Sequence, residues 1–123
     1  MNEEELKKRT KQFALRVIWL VEKLPKQRAA QIIGSQLLRS ATSVAANYRA
    51  ACRARSKADF VNKMGLVEEE ADESRFWLEM LIEAKLLPAT SVQNLVREAD
   101  ELTAIAASSR KTARSKSPKA NQQ

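Results

Sequence analysis

The sequence contains no histidine and a single cysteine, Cys52, among its 123 residues. The absence of histidine removes both the commonest general base and the commonest zinc ligand. One cysteine cannot form an intramolecular disulfide, which favours a reducing compartment, and as a nucleophile it would have no histidine partner. The composition therefore predicts a protein with no catalytic residues, no metal site and no cofactor, in which Cys52 is a small core residue.

Glycine and proline are also scarce, with two and three residues. A β-sheet protein needs many turns, which are rich in both residues, so these counts favour long uninterrupted helices. No apolar run approaches the roughly 18 residues of a membrane span, and the charged N-terminus does not have the pattern of a signal peptide. We expect one helical, cytoplasmic domain with no membrane partner and no small-molecule substrate.

Apolar residues recur at intervals of three and four in four segments, as in amphipathic helices. Pro25, Ser56 and Pro88 separate these segments. The predicted helices cover about residues 3–24, 27–55, 57–87 and 92–109. Because the loops are short, we expect an all-α fold, an antiparallel up-down four-helix bundle over residues 1–109. Residues 110–123 hold five basic residues without apolar periodicity and are predicted to be a disordered basic tail.

Charge is divided sharply along the chain. Residues 23–58 contain eight Lys or Arg and no acid, whereas residues 59–102 contain eleven acids against four basic residues. The net charge of +7 indicates an anionic partner, with nucleic acid first. Oppositely charged neighbouring helices also indicate that copies of the chain associate with one another.

The second predicted helix carries the best candidates for phosphate contact. Arg39, Arg49 and Arg53 fall within roughly 80° of one another on a helical wheel, away from the core stripe. The forked guanidinium group suits phosphate oxygens. The predicted nucleic-acid-binding residues are Arg39, Arg49, Arg53, Arg55, Lys57, Arg110, Lys111 and Arg114.

Only 5% of the residues are aromatic, so few side chains can stack on bases. We therefore expect salt-sensitive binding to RNA or DNA without strong sequence preference, and loss of that binding when Arg39, Arg49, Arg53 and Arg55 are replaced by alanine. The alternative is that these arginines pair with acids of the third helix, within one subunit or across an interface. The protein would then be an interaction scaffold.

The third predicted helix has two apolar stripes, one more than a monomer core requires. The predicted oligomer interface is Leu66, Glu69, Glu73, Phe76, Trp77 and Met80. The acids of residues 68–73 also suggest a di-metal site, but the chain has no histidine and the second helix has no acid. We therefore interpret these acids as a solvated or interface face.

Three stretches of the sequence resemble a known family. Residues 36–47, 53–60 and 68–81 are similar to the bacterial four-helix bundle family, which is also named for the 23S rRNA intervening-sequence protein. The most specific part is the run Leu-Arg-Ser-Ala-x-Ser-x-x-x-Asn that ends at Asn47. One departure is that many members continue as Asn-x-x-Glu-Gly, whereas Asn47 is followed by Tyr48, Arg49, Ala50 and Ala51.

The resemblance implies a left-handed up-down bundle that assembles into a homopentameric ring. It also relates the chain to the accessory protein of diversity-generating retroelements, which binds nucleic acid and assists a reverse transcriptase. For most members the biochemical role is unknown. Together with the charge pattern, this predicts a non-enzymatic homo-oligomer, with a pentamer favoured, that binds nucleic acid through phosphate contacts.

Overall fold

The computed structural model describes residues 1–116, which form four α-helices and, within that range, no strand. The helices are α1 (Glu3–Val21), α2 (Arg28–Ala51), α3 (Lys57–Glu83) and α4 (Ala89–Ser115). Each helix packs against its neighbours in the chain, and α1 also contacts α4, so the four helices close into a ring. This arrangement confirms the predicted four-helix bundle.

Each helix turns one apolar stripe toward the bundle axis, as the spacing of three and four predicts. The largest fully buried side chains are Phe13, Leu37, Met64, Leu78, Leu81 and Leu102. Two polar side chains are buried with them at the α2–α3 contact, where the hydroxyls of Ser40 and Ser74 lie 2.9 Å apart. Each hydroxyl also lies within hydrogen-bond distance of a carbonyl of its own helix, to which it can donate its one proton in place of the other serine, so neither is left without a partner.

The first two helices are shorter than the sequence predicts. α1 begins with a capping box between Asn2 and Glu5, but it ends at Val21 rather than residue 24. α2 ends at Ala51 rather than residue 55, because the chain must reverse before Ser56 accepts a bond from the Asp59 amide and caps α3. Arg53 and Arg55 therefore lie in the α2–α3 turn and not on a helix.

α3 also ends early, at Glu83 instead of residue 87. The amide of Leu86 bonds the carbonyl of Leu81, and the amide of Lys85 bonds that of Ile82. These two bonds form a Schellman motif, which requires a left-handed residue, and Lys85 fills that position with φ of 59°.

α4 is longer than predicted at both ends. It begins at Ala89, directly after Pro88, and it continues to Ser115, so the prediction of disorder is wrong for residues 110–115. In this part of α4, Arg110 pairs with Glu68 of α3, and the partly buried Ala113 lines a cleft shared with Lys57 and Phe60 at the start of α3. Lys116 follows the helix, and the remaining residues of the predicted tail, 117–123, lie outside the described residues.

Within residues 1–116, none of the four helices combines the length and the apolar character that crossing a membrane requires.

Candidate nucleic-acid interface

A groove rich in positive charge runs between the first half of α1 and the last turns of α2. Its volume is about 670 Å³. We call it the basic groove, and its charged walls are Lys7, Lys8, Lys11, Arg49 and Arg53. The arginines come from the predicted set, whereas the three lysines of α1 were not predicted.

The sequence explains why a groove forms here. Ala45 and Ala46 of α2 line the bottom of the groove, and their short side chains leave space between the two charged walls. Thr10 contributes to the α1 side, but its hydroxyl already donates to the Leu6 carbonyl at 2.9 Å. The polar groups that remain available in the groove are therefore the side chains of its charged walls.

Most of these cations have no acidic partner. Lys7 lies 3.5 Å from both Glu3 and Glu4, and these carboxylates, Glu4 first, raise the pKa of Lys7. Glu4 is the one acid among the residues that line the groove. The four other cations form no ion pair with any residue of the described range: they are Lys8, Lys11, Arg49 and Arg53.

Arg39 is engaged elsewhere. Its guanidinium group donates to Glu73 of α3 and lies 3.2 Å from Glu70. The hydrogen bond to Glu73 raises the pKa of Arg39. A hydrogen bond from the Trp77 indole and the contact with Arg39 both lower the pKa of Glu73. For Arg39, the structure therefore shows the alternative interpretation, in which an arginine of the second helix pairs with acids of the third helix. The pair lies within one chain.

The other predicted basic residues lie at the same end of the bundle as the basic groove. Arg55 is exposed in the α2–α3 turn, and Lys57 donates to the carbonyl of Lys116. Arg110 pairs with Glu68 at 2.7 Å, whereas Lys111 and Arg114 are exposed on α4. The structure therefore gathers these side chains at one end but does not join them into one site.

Helix pairing explains why the lysines of α1 were missed. Lys8 and Lys11 precede the acid-free stretch, and three acids stand just before them in the sequence. Only the antiparallel contact of α1 with the end of α2 brings them opposite Arg49 and Arg53. A signal was present, because Lys7, Lys8 and Lys11 occupy one side of a predicted helix.

The residues predicted for an oligomer interface separate into two groups. Leu66 and Phe76 are 37% and 50% exposed, and Glu69 is exposed with no ion pair to any described residue. The remaining members, Glu73, Trp77 and Met80, are partly buried. The Trp77 ring packs against the core and lies edge-to-face with Phe76, with ring centres 4.9 Å apart.

Neither metal ligation nor thiol chemistry is favoured by the geometry. Over residues 1–116, no three Asp, Glu or Cys side chains come together in a group that could hold a metal ion. Cys52 is partly buried and packs against the core, and burial raises the pKa of its thiol. A raised pKa leaves less of the reactive thiolate at neutral pH.

Comparison with known proteins places this geometry in a family. A family model described as the 23S rRNA-intervening sequence protein matches residues 2–108. A crystal structure of a protein of unknown function from the S23 ribosomal protein family of Bacteroides thetaiotaomicron is similar, with a TM-score of 0.83. The two sequences are 32% identical, and the match covers 90% of this chain and 99% of the other. No curated protein matches the chain.

Proposed function

The chain belongs to the 23S rRNA-intervening sequence protein family, and from that premise we propose that it is a non-enzymatic, homo-oligomeric protein that binds nucleic acid. Binding occurs through phosphate contacts in the basic groove, without strong sequence preference. RNA is the nucleic acid that the family name suggests, and the phosphate contacts serve DNA equally well.

The observation that carries the proposal is the set of four cations on facing walls of one groove that have no ion-pair partner among residues 1–116. Arg39 and Arg110 are satisfied by Glu73 and Glu68, so they have little left to offer a ligand. Unpaired cations that converge on a groove gain most from phosphate, because each contact releases counterions from the nucleic acid. The arginine pair adds forked hydrogen bonds to this attraction.

The groove has the chemistry for the nucleic-acid backbone and lacks the chemistry for bases. No aromatic side chain lines it, and its polar groups other than the charged walls are few. Phosphate contacts fix the position of a nucleic acid but carry no sequence information directly. Binding of this kind is strong at low salt and similar for different sequences.

Assembly is the second part of the proposal. Leu66 and Phe76 leave exposed apolar surface on α3, the helix that also carries Glu69, whose carboxylate has no ion pair within the described range. Burial of such a surface against another copy removes apolar area from water. We propose a homopentamer, as the family resemblance implies.

The scaffold alternative has one observation in its favour. Glu69 and Asp72 are exposed on α3 and form no ion pair inside the described part of the chain. Arg49 and Arg53 of a second copy would suit them. The two functions therefore compete for the same two arginines.

Fluorescence anisotropy with a labelled single-stranded RNA and a labelled DNA duplex tests the proposal. A groove variant replaces Lys8, Lys11, Arg49 and Arg53 by glutamine. We expect it to lose about 10-fold or more in affinity at physiological salt. The matched control is Arg39→Gln with Arg110→Gln, which removes charge outside the groove and should bind like the wild type.

Light scattering of the same variants separates the two functions. If the groove variant keeps its oligomer mass and loses binding, the nucleic-acid proposal stands. If it keeps its affinity, the groove assignment is wrong. If it dissociates the oligomer and wild-type protein does not bind either probe, the scaffold function is correct.

A further inference from the structure

The outer face of α1 carries an exposed tryptophan. Trp19 is 56% exposed, although its neighbours Leu20 and Leu95 are buried. It lies at the edge of a cleft of about 220 Å³ between the end of α1 and the start of α4. The polar residues that line this cleft are Arg16, Lys23, Ser91 and Asn94.

The cleft beside Trp19 is positively charged, and Glu22, the acid nearest to Trp19 in the sequence, does not line it. Neither Arg16 nor Lys23 forms an ion pair with another described residue, and no acidic side chain lines the cleft. Arg97 adds a third cation nearby, since its guanidinium group donates to the Asn94 side chain. An accessible indole ring among free cations is the arrangement on which nucleic-acid bases stack while phosphates are neutralised.

The cleft and the basic groove are separate, the first on the α4 side of α1 and the second on the α2 side, but the exposed face of α1 connects them. Trp19 follows Lys8 by eleven residues on α1, which places the two side chains within about 20° on the helical wheel. At 1.5 Å per residue they are separated by roughly 16 Å along the helix. A strand that leaves the basic groove along the exposed face of α1 therefore reaches Trp19.

We propose that Trp19 is a stacking platform for an unpaired base, with Arg16 and Lys23 contacting the phosphates beside it. The proposal rests on the proposed function and names its substrate class, which is single-stranded nucleic acid. In a duplex the bases are stacked on one another and present only their edges, so they cannot lie on an indole ring. A second copy of the chain is the alternative occupant, and a change of oligomer mass in Trp19→Ala would identify it.

Tryptophan fluorescence reports on this site directly. The chain has two tryptophans, so Trp77→Phe leaves Trp19 as the sole indole emitter. In that background, an oligouridylate should quench Trp19 emission as it binds. A duplex of equal length, brought to the same saturation, should leave the emission nearly unchanged.

Affinity measurements complete the test. Trp19→Ala should weaken oligouridylate binding by about 10-fold, the effect of one lost stacking contact, and leave duplex binding unchanged. Trp19→Phe should restore much of the difference, because phenylalanine also offers an aromatic face. Trp19 is more than half exposed, so circular dichroism should show a folded bundle in both variants.

The outcomes separate this proposal from the proposed function. Unchanged oligouridylate affinity in Trp19→Ala, with binding still lost in the groove variant, overturns the stacking platform alone. Absence of nucleic-acid binding in the wild type overturns both. A change of oligomer mass in Trp19→Ala overturns the platform by identifying Trp19 as a contact between copies.

Discussion

Arg39 of α2 donates a hydrogen bond to the carboxylate of Glu73 of α3, and the two residues belong to the same chain. This contact divides the arginines of the acid-free stretch into two classes. Arg39 strengthens the α2–α3 packing, whereas Arg49 and Arg53 face the lysines of α1 across a groove. The basic residues of the acid-free stretch therefore have two roles: one of them pairs with an acid inside the bundle, and others form a basic surface.

The Arg39–Glu73 pair predicts a pH-dependent contribution to stability. Because the Trp77 indole and Arg39 lower the pKa of Glu73 below its ordinary 4.5, the ionised carboxylate favours the folded state. This stabilisation is present above that value and is lost as the pH falls through the lowered pKa. Glu73→Gln should reduce the free energy of unfolding at neutral pH by up to about 1 kcal/mol, because both partners are partly exposed.

Urea denaturation at neutral pH and at a pH below the lowered pKa measures this effect. The difference between Glu73→Gln and wild type should shrink in acid. Glu69→Gln is the matched control on the same helix, and it should change little at either pH. A Glu73 effect that is equally large in acid would show that the carboxylate charge is not its origin.

The two glycines predict different responses to alanine. A Cβ at Gly65 would lie 3.7 Å from the Arg110 side chain, an ordinary contact, so Gly65→Ala should gain up to about 1 kcal/mol in helix stability. A Cβ at Gly34 would lie 2.7 Å from the buried Leu24 side chain, which must then move. Gly34→Ala should therefore gain less or lose, and equal increases in Tm for both variants would contradict this packing.

The left-handed residue at the end of α3 offers a stabilising substitution. Lys85 has φ of 59°, a conformation in which a side chain costs about 1 kcal/mol and glycine costs little. Lys85→Gly should raise the free energy of unfolding by about that amount. Lys85→Ala removes the same charge but keeps the Cβ, so it should not. A gain of the same size in both variants would mean that charge, and not the backbone, is responsible.

The final turns of α4 predict protected amides. Arg110 donates to Glu68 at 2.7 Å and helps to hold this end of α4 against α3. Amide hydrogens of residues 111–114 should therefore exchange more slowly than those of an unfolded chain. Glu68→Gln should speed their exchange, whereas Glu69→Gln should not. Unprotected amides in the wild type would contradict the helix and support the disordered tail that the sequence predicts.

The sequence predicts the bundle well because each helix carries a regular apolar stripe, and proline or serine marks each boundary. It fails where the deciding contact is tertiary. Residues 110–115 have no apolar stripe, and the contact that ties this segment to α3 is the pair of Arg110 with Glu68. Half of the basic groove was predicted, because the sequence puts Arg49 and Arg53 together near the end of the second helix. Both line the groove, although Arg53 lies in the turn after α2. Lys8 and Lys11 join them only through the pairing of α1 with α2.

The central claim is that the basic groove binds nucleic-acid phosphates, and the salt dependence of binding tests it most directly. The slope of log affinity against log salt concentration should decrease in magnitude by about 0.7–0.9 for each phosphate contact removed. We expect the groove variant, with Lys8, Lys11, Arg49 and Arg53 replaced by glutamine, to lose most of the wild-type slope, and Arg39→Gln to retain it. A groove variant with the wild-type slope and affinity would contradict the account.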